Sequence, residues 1–279
     1  MPELLAKASR PWALRLLPPF PAVANRVLAL VNNEDVGSRQ ISEVINLDPT
    51  FTAEILRIAN SPLFGVVREI STVQHAVALV GVNKVKAMAT LIALSTVVKS
   101  SLRIEVLRKF WIHSLVTAVL TDESARAAGA KVDGAYTAGL LHNLGTLGLM
   151  SAYPEEYSRM LEVSTEFGFD LIRTERDLFE IDHCAAGACL AEEWNFPDPI
   201  VVAIAMHHEE PKKSPNLFSL VQICWRLAGV AGYMPFPDER EWTYEELIEL
   251  IPASSNSWIT GGIERVRQEV GSRLTTLRL

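Results

Sequence analysis

Five of the six histidines in this chain lie between positions 113 and 208, each within a run of apolar residues at helical spacing. They are His113, His142, His183, His207 and His208. A single buried histidine is more often a core residue than a ligand, but five of them on four consecutive predicted helices favour placement around one pocket. Neutral imidazole is the commonest nitrogen ligand and suits zinc, iron, nickel and manganese. The spacing therefore predicts a buried site for a divalent transition metal (Zn, Fe, Mn or Ni).

Two positions argue against hydrolysis at such a site. A hydrolytic metal pair needs carboxylates beside its nitrogen ligands, to hold the ions and orient the attacking hydroxide. Asn143, which follows His142, offers only a neutral amide oxygen, and the later helix at 223–228 reads Ile-Cys-Trp-Arg-Leu-Ala with no acid. Glu209 and Asp182, which flank the other histidines, are the acids that could take over. Catalysis is therefore uncertain from the sequence, and we favour its absence.

Composition excludes several classes of protein. With 279 residues, 49% of them hydrophobic, the chain can bury a large core as one domain or two lobes. Its net charge of −7 argues against nucleic acid as the main partner, because phosphate binding needs a concentrated basic surface.

The cysteines and the apolar runs indicate the compartment. Cys184, Cys189 and Cys224 are an odd number without metal-finger spacing, which suits a reducing cytosol. Cys184 and Cys189 share one predicted helix, where we interpret them as core residues. No signal peptide opens the chain, and its apolar runs are too short to span a bilayer. We expect a soluble, cytoplasmic protein that does not bind membranes.

Helix signals recur along the whole chain. Asp48-Pro49 predicts an N-cap followed by a first-turn proline. Residues 71–74 read as a capping box for a helix that stops at Gly81. The run at 138–145 is predicted to be helical and to close at Gly145. Further helical patterns cover 170–181, 198–207, 217–230, 243–250 and 263–277. Because no alternating strand pattern of convincing length is present, the sequence predicts an all-α fold.

The small polar and basic stretch at 100–103 marks the predicted boundary between two lobes. We predict an N-terminal extension at 1–16, a helical lobe at 17–100, a histidine-bearing lobe at 104–233 and a C-terminal helical tail at 234–279.

The histidine motifs resemble those of the HD superfamily of metal-dependent phosphohydrolases. The resemblance rests on His113, the 138–145 run with its His-Asn pair, His183, and the pair at 207–208. The superfamily signature is a His-Asp doublet preceded by one histidine and followed by further histidines and a distal aspartate. The resemblance implies that the five histidines match ligand positions. It also implies that Asn143 replaces the doublet aspartate and that Trp225 stands where the distal aspartate belongs.

With the motifs of its first lobe added, the chain is similar to the HDOD domain, the HD-related output domain of bacterial signalling proteins. The similarity spans about 17–233 and is carried by the Leu-Pro-Pro-Phe-Pro run at 17–21, by Asp48-Pro49, by 56–61, by Phe64-Gly65 and by the helix up to Gly81. It implies a two-lobed helical fold in which a small N-terminal bundle packs on an HD-like bundle. It further implies a role in bacterial signal transduction.

Three functions remain open at this point. The first is a catalytically inactive signalling module that acts through contacts with an unidentified signalling protein. The second is a metal-dependent phosphohydrolase acting on a nucleotide or a cyclic dinucleotide. The third is a regulator whose bound metal or redox state sets its conformation. The oligomeric state cannot be read from the sequence, and a homo-oligomer is compatible with each function.

Overall fold

The computed structural model describes residues 11–15, 26, 38–60, 69–82, 85, 105–129, 132, 134–194, 196–236, 240–252 and 257–274. The motifs at 17–21 and 64–65 and the predicted boundary at 100–103 lie outside these residues. Within the described ranges the chain forms helices and no strand, which confirms the all-α prediction. The helices are α1 (Ser38–Ile45), α2 (Pro49–Ala59), α3 (Val73–Val80), α4 (Glu105–Ala127), α5 (Ala135–Leu141), α6 (Leu144–Ala152), α7 (Pro154–Phe167), α8 (Leu171–Phe179), α9 (His183–Glu193), α10 (Asp198–Ala205), α11 (Leu217–Ala228), α12 (Tyr244–Leu250) and α13 (Ile263–Leu274).

Side-chain caps start several of the helices, and some of these caps were predicted from the sequence. The Asp48 carboxylate accepts a hydrogen bond from the Phe51 amide at 3.0 Å. Asp170 and Asp182 cap α8 and α9, and Thr243 forms a capping box with Glu246 at the start of α12. In α3 the cap is Thr72, one residue later than predicted, and the helix stops at Gly81 as expected. These short polar side chains satisfy amide groups that lack an intrahelical partner.

The small N-terminal bundle and the histidine-bearing bundle share one hydrophobic core. Ile41, Ile55 and Val77 from α1 to α3 belong to the same buried cluster as Phe110 of α4 and Leu147 of α6. A second cluster joins α4 and α11 to the C-terminal helices. Its members include Val116, Leu120, Ile223, Leu227, Leu247, Val266 and Val270. The C-terminal tail is therefore packed onto the histidine-bearing bundle.

Several predicted helix ends differ from the observed ones. The prediction that a helix closes at Gly145 is wrong, because α5 ends at Leu141, His142 and Asn143 form a turn, and Gly145 lies inside α6. Helix α10 ends at Ala205, so His207 and His208 lie in the following turn. Helix α11 ends at Ala228 and continues as a π-helical turn over Gly229–Tyr233.

Candidate metal centre

Glycines allow the histidine-bearing elements to approach one another closely. A Cβ atom added at Gly139 of α5 would lie 2.8 Å from the Cα of Ala118 on α4. One added at Gly145 of α6 would lie 1.9 Å from the carbonyl oxygen of His183 and 2.5 Å from the amide nitrogen of Gly187 on α9. Only a residue without a side chain fits at these crossings, which bring α4, α5, α6 and α9 together around one point.

Three of the five histidine rings are held by a hydrogen bond from Nδ1 to a backbone carbonyl. His113 Nδ1 lies 3.0 Å from the carbonyl oxygen of Tyr233. His142 and His207 each reach back three residues along their own segment, to the carbonyls of Gly139 and Ile204 at 2.7 Å. Because a carbonyl oxygen can only accept, Nδ1 carries the proton in each ring and Nε2 keeps its lone pair. Nε2 is therefore the nitrogen free to bind a metal.

His183 is oriented by a carboxylate. Its Nδ1–H donates to Glu175 Oε2 at 2.7 Å, and its backbone amide donates to the same oxygen at 2.8 Å. The Tyr157 hydroxyl donates to the other carboxylate oxygen. Glu175 was not among the residues predicted from the sequence. Leu171, Glu175 and Phe179 recur at four-residue spacing on the buried face of α8, but this spacing alone does not distinguish a buried acid from an exposed one.

The structure brings all five predicted ligands together. His183 Nε2 lies 3.3 Å from His207 Nε2 and 3.0 Å from His208 Nε2. The ring centroids of His113 and His142 are 5.3 Å apart, and those of His142 and His207 are 5.1 Å apart. His142 Nε2 is buried without a hydrogen-bond partner. Lone pairs that converge at such distances repel one another unless a proton or a metal ion lies between them, so the nitrogen donors fit a cation.

Burial keeps most of these rings neutral. It lowers the pKa of His113 to about 4. Burial, and after it the neighbouring histidines, hold the pKa values of His142 and His207 well below the usual value. His183 differs, because burial disfavours its charge but Glu175 and Cys184 outweigh that effect and raise its pKa well above the usual value. Without a metal, His183 is therefore the imidazolium that shares a proton with its neighbours.

Three side chains of α11 fix the turn that carries His207 and His208. Gln222 donates to the Met206 carbonyl at 2.8 Å, the Trp225 indole N–H donates to the His207 carbonyl, and Arg226 donates to the His208 carbonyl at 2.9 Å. These donors satisfy carbonyl groups at and just beyond the end of α10, which have no partner within that helix. The turn is therefore positioned by tertiary contacts.

The side of the site formed by α11 presents an aromatic ring and a cation. The Trp225 ring lies 4.7 Å from that of His208 and 6.2 Å from that of His113. Arg226 is buried, and its charge adds to burial and to His183 in lowering the pKa of His208. Trp225 thus stands beside the histidines, at the position where the HD resemblance expects an acid.

Among the residues that the structure describes, neither candidate replacement acid belongs to the group of converging ligand atoms. Asp182 accepts from the Ala185 amide at 2.8 Å and pairs with Arg176 at 2.6 Å, so its carboxylate is engaged in capping α9. Glu209 is exposed. Asn143 is buried in the turn between α5 and α6.

Cys184 is buried, as core packing predicts, but it also adjoins the site. Its Sγ lies 3.8 Å from His207 Nδ1. One ligand atom each from His183, Cys184, His207 and His208 lie within 4.8 Å of one another.

A cleft of about 390 Å³ borders the site at His208. It is lined by the end of α7, the following turn and the start of α8, together with His208 and Phe236. His208 is thus the member of the histidine group that a molecule in the cleft would meet.

Comparison with known proteins identifies the family. The family model of the HDOD domain matches residues 17–210, which make up most of the chain. This chain belongs to the HDOD domain family. The resemblance inferred from the motifs is thereby confirmed.

Several solved structures share the fold. A crystal structure from Shewanella amazonensis SB2B, named as an inferred phosphohydrolase, is 24% identical with a TM-score of 0.74 and covers 95% of this chain and 97% of its own. An HDOD domain protein of unknown function from Geobacter sulfurreducens is 23% identical with a TM-score of 0.71, and the match covers 94% of this chain and 91% of that one. An inferred signal transduction protein from Marinobacter aquaeolei VT8 is 22% identical with a TM-score of 0.69, and the match covers 93% of this chain and 58% of that one. At these identities the likeness establishes the helical HDOD fold.

A curated relative extends well beyond the matched region. An uncharacterised protein of Treponema pallidum (strain Nichols) is 27% identical over 197 residues, which make up 70% of this HDOD chain and 38% of that protein. The chain thus spans well under half the length of this relative. None of the helices in the described ranges has the length and apolar character needed to cross a bilayer.

Proposed function

We propose that this HDOD-family chain is a regulatory module of bacterial signal transduction that binds a divalent transition metal and does not hydrolyse phosphoesters. The observation that carries the proposal is the set of donor atoms. Histidine nitrogens converge at 3.0–3.3 Å, whereas the buried carboxylate of Glu175 is bonded to the far side of the His183 ring. Such a set can bind a metal but lacks the carboxylates that hold a metal pair and orient a hydroxide.

The charge distribution favours a single ion. Arg226 places a fixed, buried positive charge against the turn of His207 and His208. A second divalent ion would lie near this charge without a carboxylate at position 143 or 225 to offset it, and an uncompensated buried charge is costly. One ion held by His183, His207 and His208 would crosslink α9 to the end of α10. Its contribution would be to fix the relative positions of these elements.

Protein contacts are the proposed output. A module whose site binds without turnover can transmit information only through a conformation that a partner recognises, because a ligand shifts an equilibrium by its differential affinity for two states. A cytoplasmic signalling protein is therefore the proposed partner, with neither nucleic acid nor membrane as a binding surface. The structural similarity to the Marinobacter protein, whose name refers to signal transduction, agrees with this role.

Elemental analysis combined with an activity screen tests the proposal. The chain is purified without chelators or an affinity-metal resin, its metal content is measured, and the same sample is assayed against a broad phosphoester panel with added Zn²⁺, Fe²⁺, Mn²⁺ or Ni²⁺. We expect near-stoichiometric metal and no turnover. Metal-dependent hydrolysis of any phosphoester would overturn the proposal, and metal-free protein that resists reloading would remove its metal component.

A phosphohydrolase acting on a nucleotide or cyclic dinucleotide is the second candidate, and the cleft favours it. The cleft reaches His208, so a substrate would have access to the histidine site. For this function Asn143→Asp should raise metal-dependent hydrolysis, because it restores the acid of the doublet. If that variant stays inactive over the same panel, the enzyme hypothesis loses its main support.

A further inference from the structure

We infer that Cys184 is a ligand of this metal, together with His183, His207 and His208, so that the site is of the His₃Cys type and selects a thiophilic ion such as Zn²⁺. The inference rests on the proposed metal binding. It gives Cys184 a role in the metal site, whereas its sequence context alone predicts only a core residue.

The position of Cys184 supports a shared site. It follows His183 in the first turn of α9 and is 8% exposed. His183 Nε2 lies 3.0 Å from His208 Nε2 and 3.3 Å from His207 Nε2, and one ligand atom from each of the four side chains lies within 4.8 Å of the others. A tetrahedral zinc ion with ordinary Zn–N and Zn–S bonds separates its ligand atoms by about 3.4–3.7 Å. The four side chains therefore surround a space that one ion could occupy once the ligand atoms adjust by about an ångström.

The two nitrogens of His207 face different neighbours. Nε2 points towards His183 at 3.3 Å, and Nδ1 lies 3.8 Å from Cys184 while donating to the Ile204 carbonyl. Since Nδ1 carries the proton, the nitrogen that binds is Nε2, and the thiol approaches the same ring from the adjacent side. Coordination therefore requires the Cys184 side chain to rotate so that Sγ faces Nε2.

Charge gives Cys184 a role that no histidine can fill. The histidine ligands are neutral when bound, Asn143 and Trp225 carry no charge, and Arg226 adds a positive one nearby. Among the four converging side chains, Cys184 is the one that can become an anion. A thiol that coordinates a metal loses its proton, so the resulting thiolate would offset half the charge of a divalent ion. Thiolate ligation also favours zinc over oxygen-preferring ions such as Mn²⁺.

The other cysteines provide matched controls. Cys189 lies on the same helix, is partly exposed and is outside the group of converging ligands. Cys224 is buried on α11, with its Sγ 3.2 Å from the Ser124 hydroxyl. Both retain a thiol at a place where no role in the site is proposed.

Cobalt substitution tests the assignment. The full chain is freed of metal by a chelator, loaded with Co²⁺, and examined for thiolate-to-cobalt charge-transfer absorption in the near ultraviolet. We expect the band in the wild type and in Cys189→Ser and its loss in Cys184→Ser, whose Zn²⁺ affinity should fall by about 100-fold or more. A band retained by Cys184→Ser, or cobalt bound by the wild type without the band, overturns the thiolate ligand and leaves metal binding intact. A wild type that binds no cobalt overturns this inference and the metal component of the proposed function together.

A measurement on the wild type covers the case in which Cys184→Ser does not fold. The metal-free chain is alkylated with and without Zn²⁺, and the modified cysteines are mapped by peptide mass spectrometry. Zn²⁺ should slow alkylation of Cys184 at least tenfold relative to Cys189. Equal slowing at both cysteines, or none, would contradict coordination by Cys184.

Discussion

Glu175 determines how His183 faces the rest of the histidine group. Its carboxylate accepts both the Nδ1–H and the backbone amide of His183, while Tyr157 holds the other oxygen. A carboxylate behind a metal-binding imidazole fixes the tautomer and makes the opposite nitrogen more basic. The residue is therefore a positioning residue for the proposed metal, although it is not a ligand.

Glu175→Gln should lower metal affinity by about 10–100-fold, because glutamine keeps the shape and one acceptor but removes the negative charge. The affinity is measured by competition with a chelating dye. Glu192→Gln, an exposed acid on α9, is the control and should leave the affinity unchanged. Equal affinities of wild type and Glu175→Gln would show that the carboxylate does not act on the site.

His113 should make the metal-free protein sensitive to acid. Burial lowers its pKa from 6.5 to about 4, so between these pH values the unfolded chain binds a proton that the folded chain does not. Stability therefore rises with pH across this window. In His113→Gln the loss of unfolding free energy between pH 7 and pH 4 should be smaller by about 3 kcal/mol. Urea titrations at several pH values measure this change in unfolding free energy. An identical pH dependence in both proteins would show that His113 is not the source of the acid sensitivity.

The five histidines could be predicted from the sequence, whereas the residues that orient them could not. Apolar neighbours at helical spacing indicate that the histidines are buried, and the imidazole side chain is a common metal ligand. Glu175 belongs to the same buried surface, but a lone acid in an amphipathic helix is ordinarily exposed. Its partner His183 lies on the next helix, so only the folded chain shows why the acid is inside.

At the scale of elements, the crossing of α6 and α9 holds His142 near His183. The backbones meet at Gly145 and Gly187 without intervening side chains. Gly145→Ala should reduce the free energy of unfolding by about 2–4 kcal/mol, because its Cβ would overlap the His183 carbonyl and force the helices apart. Thermal and denaturant unfolding measure the change.

Gly271→Ala in α13 is the matched control for this substitution. The nearest atom to an added Cβ there is the Tyr233 hydroxyl at 4.0 Å, so alanine fits. The control should be neutral or more stable by up to about 1 kcal/mol, from helix propensity alone. A Gly145→Ala variant as stable as this control would mean that the helices do not cross closely.

Helix starts could be predicted more reliably than helix ends. Asp48, Asp170 and Thr243 cap their helices through local hydrogen bonds, which a sequence pattern can reveal. The ends of α5 and α10 depend on side chains that replace the backbone hydrogen bonds of the helix, and some of these side chains lie far away in the sequence. His142 and His207 continue the apolar spacing, but their rings bond carbonyls of the preceding turn, and α11 supplies donors to the turn after α10.

At the scale of the whole molecule, the C-terminal tail belongs to the folded body. Leu247, Val266 and Val270 join Val116 and Leu227 in one buried cluster. A helical tail could be predicted from capping and periodicity. Its docking could not, because the tail packs against α4, which lies more than a hundred positions earlier in the chain, as well as against α11.

Leu247→Ala should destabilise the entire chain by about 2–5 kcal/mol in a single cooperative transition, since it leaves a cavity in a core shared with α4 and α11. Circular dichroism and intrinsic fluorescence should report the same midpoint. Glu249→Ala, an exposed neighbour on α12, should stay within about 0.5 kcal/mol of the wild type. Separate transitions, or a stable histidine-bearing bundle in Leu247→Ala, would show an independent tail.

Trp225 also limits the evolutionary routes open to this chain. Every base of a tryptophan codon must change to give aspartate, so the acid that the HD resemblance expects here cannot arise in one mutational step. Its introduction would also remove the indole donor to the His207 carbonyl and leave a void beside His208. The new carboxylate would adjoin Arg226 and pair with it before any ion arrived. Acquiring the acids of the HD signature would therefore require changes at positions 143 and 225 together with replacement of the contacts that Trp225 now makes.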